Sequence, residues 1–215
     1  SSSAFQFHLV TDLEYTDNSQ WANLVVMMDT TQSTASDRTK MYLNGVQITS
    51  FSTESYIAQD ATPHMNNSSY THYIGQSGGS TNYWEGYMAE TAFLDGQTLT
   101  ASSFGSTDTS SNRWVPKSIT GLTYGDQGFL LDYSNGSDLG EDQKNSNDWT
   151  NNNTVTQTTD SPTTNITVLS PNRNLTGGTT SNGNRTVVTG SSQYGPIWTE
   201  MALSSGKWYW EGVVT

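Results

Sequence analysis

Cysteine is absent from this 215-residue chain. A disulfide framework is therefore excluded, and a small secreted scaffold held by bridges is disfavoured. Positive charge is scarce. Eight Lys and Arg stand against twenty Asp and Glu, for a net charge of −12. Nucleic-acid binding needs a basic footprint, and none is present. The same balance disfavours anionic membrane surfaces. Long hydrophobic runs are missing too: no stretch approaches the ~18 apolar residues of a membrane-spanning helix. Charged residues of either sign make up only 13% of the chain, and no amphipathic helix of any length is visible.

What is present is Ser, Thr, Asn, Gly and Gln, interleaved with aromatics. Seven Trp, eleven Tyr and six Phe supply enough large apolar area for a core, which argues against disorder. "WANLVVMMDTT" is apolar from Trp21 to Met28 and flanked by turn residues, so it is expected to be a buried strand. In "DRTKMYLNGVQITSF", Met41 and Leu43 lead into Asn44-Gly45, and Val46 and Ile48 lead away. Asn-Gly tolerates the two positive φ angles of a type I′ turn, which predicts a hairpin. "YTHYIG" and "NYWEGYMAETAFLDG" are expected to give two more strands. Thr100 in "LTASSFG" is a candidate N-cap for one helical turn. Between Gly105 and Pro171, residues 128–133 are expected to be the one clear strand, followed by an Asp/Asn-rich stretch and a Thr/Asn-rich connector. The chain closes on "SGKWYWEGVVT", in which Trp208, Trp210 and Val214 alternate as on a strand. Phe5, Phe7 and Leu9 alternate in the same way at the start. Both ends are expected to be cut from a longer chain.

The fold class that follows is all-β. Four ordered motifs add detail: "VVMMD", "MYLNGV", "YIGQSGG" and "YWEGYMAETAFLDGQTLTASSFG". Over about residues 4–105 they resemble the second half of a laminin-G-like, concanavalin A-like lectin sandwich. "GFLLDYSNGSDLGEDQKNSNDW" resembles a segment that follows such modules in tailed-phage structural proteins of the fibre type, and "SGKWYWEGVVT" resembles the early core strand of a SPRY-like domain. The resemblance implies an antiparallel concanavalin-like β-sandwich over residues 1–105 whose N-terminal part is missing. A connecting segment over 106–170 is expected to follow, then a second, incomplete β-sandwich-like unit over 171–215.

Chemistry-bearing residues are few. Glu85, Glu90 and Asp95 are each five apart, a spacing that sends neighbours to opposite faces of a strand, so a glycosidase carboxylate pair is not expected. His8, His64 and His72 have no zinc spacing, and no G-x-S-x-G elbow exists. The protein is expected not to be an enzyme. Asp132, Asp138 and Asp142 lie in an acidic stretch whose oxygens suit calcium, with a solvated loop as the alternative. Asn82, Tyr83 and Trp84 follow loop glycines. They are candidate glycan-binding residues, with the start of a core strand as the alternative. The resemblance implies a phage virion protein, a tail-fibre or surface adhesin module. Its expected partners are other virion proteins and a host-surface glycan, and it is expected to form a homo-oligomer, a trimer by preference. A secreted bacterial carbohydrate-binding or adhesin module, located outside the cell, is one alternative. The non-catalytic part of a polysaccharide depolymerase is another.

Overall fold

A computed structural model describes residues 6–15, 21–65, 67, 69–77, 82–109, 113–152, 155–158, 161–163, 169, 179–181 and 186–188. The chain divides into two compact units. The first takes Ser1–Gln157 and Ser161–Thr163, and the second takes Thr158–Asp160 and Thr164–Thr215. The fold is all-β: every strand pairing is antiparallel. Helix among the described residues is confined to one four-residue turn, Ala35–Arg38, and one 3-10 turn, Ala101–Ser103. None of it is long and apolar enough to cross a membrane.

In the first unit, β1 (His8–Thr11) pairs with β5 (Phe51–Ser55). β2 (Leu24–Met28), β3 (Thr39–Leu43) and β4 (Val46–Ile48) form a three-stranded sheet in that order. The turn joining β3 and β4 is the Asn-Gly pair. Asn44 has φ 48° and Gly45 has φ 81°, the two positive angles that this turn requires. Asn44 also accepts the Asn23 N–H on its side-chain oxygen at 2.8 Å, which ties the turn to the entry of β2. A side chain at Gly45 would be excluded twice over, since a Cβ there would sit 2.2 Å from the ring of Trp114. A Cβ at Gly105 would sit 2.5 Å from the same ring. The indole of Trp114 thus lies against two glycine backbones from distant parts of the chain.

β6 (Gln76–Ser77) pairs with β7 (Asn82–Tyr83), β8 (Thr91–Phe93) with β11 (Phe129–Leu131), and β9 (Gly105–Asp108) with β10 (Arg113–Pro116). The strand expected across "YTHYIG" does not form. Tyr70 N–H instead bonds the Asn67 carbonyl at 3.0 Å and closes a turn, and Gly75 takes φ 74°. The long strand expected in "NYWEGYMAETAFLDG" is split into β7 and β8, with Gly86 between them. Thr100 does precede a helical turn, but its hydroxyl meets the Ser102 hydroxyl at 2.9 Å rather than capping the backbone.

Ile119, Tyr124 and Leu130 form a buried core cluster, with Ala92, Leu94, Phe104 and Leu122 packed against it. Four of these seven, Ile119, Leu122, Tyr124 and Leu130, lie beyond residue 105. The expected boundary at 105 accordingly falls inside the first unit, which runs on to Gln157. The physical reason is β11: its register with β8 matches Phe129 to Phe93 and Leu130 to Ala92. This pairing brings residues 119–131 onto the preceding strands. Phe93 stacks on Phe129 at 6.1 Å, and Trp149 meets Phe129 edge-on at 5.0 Å.

The loop after β11 is fastened by Asp142, which is buried. One carboxylate oxygen accepts the N–H groups of Leu130 at 2.9 Å and Lys144 at 3.0 Å. The other accepts those of Asn145 at 3.0 Å and Asn147 at 3.2 Å. The Asn145 and Asn147 amides both donate to the Gly128 carbonyl, at 2.7 and 3.0 Å. Burial pushes the Asp142 carboxyl up, but the four N–H groups outweigh it and hold its pKa below the ordinary value. In the second unit, β12 (Thr179–Ser181) pairs with β13 (Thr186–Val188). Trp208, Trp210 and the closing strand expected around them lie outside the described residues.

Asp142→Asn is expected to lower unfolding free energy at pH 7 by about 2–4 kcal/mol, because charge-assisted acceptors are lost beside a buried N–H. A depressed folded pKa stabilises above the unfolded carboxylate value of ~3.9 and ceases to do so as pH falls through the folded value. Urea titrations of both proteins should therefore show a gap that is full at pH 7 and closes below pH about 4. A gap unchanged at acid pH would contradict the assignment.

Candidate functional site

The β6–β7 ladder presents a group of aromatic side chains to solvent. Its register sets Gln76 opposite Tyr83 and Ser77 opposite Asn82, and Trp84 N–H closes it by bonding the Gly75 carbonyl at 2.8 Å. Asn82 is exposed, Tyr83 is 50% exposed and Trp84 is 61% exposed. Neither aromatic starts a core strand. Tyr70, Tyr73 and Tyr87, close by in sequence, are exposed as well. Gly86 permits the pose of the indole: a Cβ at that position would stand 3.0 Å from the Trp84 ring nitrogen. His64 stacks on Tyr70 with ring centres 4.5 Å apart, and His72 Nε2 lies 3.3 Å from the His64 carbonyl. No Lys or Arg occurs between Lys40 and Arg113, so the surface has no cation of that kind nearby in sequence to hold an anionic ligand.

The three calcium candidates each direct oxygens at backbone amides. Asp132 accepts Ser134 N–H at 2.9 Å, and Asp138 accepts Gly140 N–H at 3.0 Å. Asp142 accepts four N–H groups, as above. Among the described residues no group of three or more His, Asp or Glu stands close enough together to hold a metal ion. These short carboxylates close local turns. The role of Asp142 as acceptor for β11 was legible only as Asx-type loop chemistry in "EDQKNSND", since its partner Leu130 lies twelve residues away.

Glu90 lies immediately before β8. Desolvation, and then the negative charge of Asp132, push its pKa up. Tyr124, buried in the core, is pushed up to about 12 by burial and by the charges of Glu90 and Asp142. Its hydroxyl donates to the Ile119 carbonyl at 3.0 Å, which fits a structural phenol rather than a proton donor in chemistry. A cavity of ≈ 1130 Å³ lies beside Glu90, between β2 and the segment running from β8 to Leu99. Three carboxylates line it, those of Asp29, Glu90 and Asp95, and no Lys, Arg or His does. Asp29 is already engaged: bonds from the Thr31 hydroxyl at 2.7 Å and the Gln32 amide at 2.7 Å lower its pKa.

No family model, no curated protein and no solved structure matches this chain. The geometry alone thus distinguishes the available aromatic residues from the structural ones. Trp84→Ala is expected to change stability by less than about 0.5 kcal/mol. Trp114→Ala, which empties the space between Gly45 and Gly105, should cost about 3 kcal/mol. Chemical denaturation of the two variants checks the contrast, and a Trp84 loss as large as that of Trp114 would remove Trp84 from the free surface.

Proposed function

We propose that this chain is a non-enzymatic module of a phage virion, a tail-fibre or surface adhesin built on a concanavalin-like sandwich. In this reading it binds neutral host-surface glycans through Asn82, Tyr83 and Trp84. The observation that carries the reading is the solvent exposure of Tyr83 and Trp84 beside an exposed amide. Aromatic rings with two rotatable bonds offer large contact area at low entropic cost. A ring stacks on the apolar face of a pyranose, and the Asn82 amide serves its hydroxyls. The absence of Lys and Arg from residues 41–112 favours neutral sugars over uronic or sialic acids.

The virion setting is supported by the sequence resemblance, by the lack of cysteine and by a surface rich in Ser, Thr and Asn. Such a surface immobilises few long side chains on contact. A single shallow site is weak, and several identical sites on one particle raise the effective concentration of each. Localisation to the virion and a trimeric arrangement follow from the same argument. No catalytic step is assigned.

The test compares the monomer with a fused trimer, wild type and Trp84→Ala, on isolated neutral host-surface polysaccharide. Trp84→Ala should weaken the monomer about tenfold, equivalent to about 1.4 kcal/mol, and the trimer should gain about a hundredfold in avidity. The polysaccharide should emerge uncut. Equal binding by Trp84→Ala would refute the site, and shortened oligosaccharides would refute the non-enzymatic reading.

A further inference from the structure

The cavity beside Glu90 is bordered by two open strand edges. β2 pairs only with β3, and β8 pairs only with β11, among the described residues. Asn44 N–H bonds the Asn23 carbonyl and Asp29 N–H bonds the Arg38 carbonyl, each at 2.8 Å. Odd-numbered residues of β2 therefore point their main-chain groups at β3. By the two-residue period, Leu24, Val26 and Met28 point theirs to the open side. On β11, Leu130 gives its N–H to Asp142 and accepts Gln143 N–H at 2.9 Å. Both bonds leave on the side away from β8, so the Leu130–Ala92 pair is not hydrogen-bonded and Ala92 points its own groups away from β11. Leu24, Val26, Met28 and Ala92 all line the one cavity.

Open edges are normally blunted by a Lys, a Pro or a bulge. β2 reads Leu-Val-Val-Met-Met and has none of these. Leu24 is 57% exposed and Val26 45%, so among the described residues the edge is both unpaired and apolar. We infer that this cleft is a receptor for an extended peptide strand from another protein, in which Lys or Arg alternates with apolar residues. Main-chain bonds to Leu24, Val26 and Met28 would hold the strand by β-addition. Its apolar side chains would cover the exposed β2 face, and its basic ones would meet Glu90 and Asp95. Charge decides the occupant. The lining holds carboxylates and no base, and a second copy of this chain, at −12, would bring like charge.

The probe is an acetylated, amidated nonapeptide of alternating Val and Lys, with fluorescence anisotropy and amide hydrogen exchange as readouts on the full chain. Binding should protect the amides of Leu24, Val26, Met28 and Ala92. Methylating alternate peptide nitrogens, which blocks strand pairing but keeps charge, should weaken binding at least tenfold. So should replacing every Lys of the peptide by Glu. Val26→Pro removes one outward N–H without touching a β3 bond and should also cost at least tenfold. If that variant does not fold, the methylated peptide on the wild-type chain decides the matter alone. Equal binding of the methylated peptide, no binding, or protection elsewhere would overturn the inference. Concentration-dependent protection of the same four amides without peptide would also overturn it, in favour of a second copy.

Discussion

The carboxylate of Asp142 is the constraint on which the first unit depends. Leu130 is fully buried, and its N–H faces away from β8, where a lone two-stranded ladder would leave it unsatisfied. Asp142 supplies the acceptor, and Gln143 returns a donor to the Leu130 carbonyl. The 142–147 loop thereby serves as a third rail beside β11. Its asparagines then tie down Gly125 and Gly128, where the chain turns into that strand. A Cβ at Gly128 would lie 1.8 Å from the Tyr124 carbonyl, so the turn and the loop can close only on glycine. Two-stranded ladders are marginal alone in water. Here the β8–β11 ladder is buttressed by one charged group that gathers four N–H donors.

That economy leaves other surfaces free. The core is small and concentrated around Ile119, Tyr124 and Leu130. The aromatic residues of 70–87 are not needed to fill it. Trp114 and Trp149 are spent on glycine backbones and on Phe129, while Trp84 remains at the surface over Gly86. The same division appears in the carboxylates. Asp132, Asp138 and Asp142 close turns, whereas Glu90 and Asp95 line the cleft. In the proposed adhesin, glycan contact and strand capture use separate parts of one unit, so either can be lost without the other.

Local chemistry was legible in the sequence. The hairpin at Asn44-Gly45 follows from backbone preference at two adjacent residues, and β2 from an apolar run bounded by turn residues, although it is not the buried strand expected: only Val25 of it is buried, and Leu24 and Val26 stay exposed on its open edge. All-β character followed from the same patterns. Non-local pairing was not legible. β8 and β11 are separated by more than thirty residues, and nothing in "TAF" or "FLL" names the other as partner. The strand expected at 128–133 is cut to three residues because Tyr133 takes φ 55°, a choice that its sequence does not signal. Acidic clusters are ambiguous by nature, since carboxylates that accept backbone N–H groups look, in a sequence, like those that hold a cation. Aromatic residues beside loop glycines carry a similar ambiguity between core and surface. Exposure resolves it for Trp84.

The most direct test of the glycan-binding account is to observe the indole N–H resonances of the folded chain while titrating a neutral host-surface oligosaccharide. The account predicts that the Trp84 resonance shifts progressively and saturates, while those of Trp114 and Trp149 stay fixed. Movement of Trp114 or Trp149 with Trp84 unmoved, or no movement of any, would contradict it.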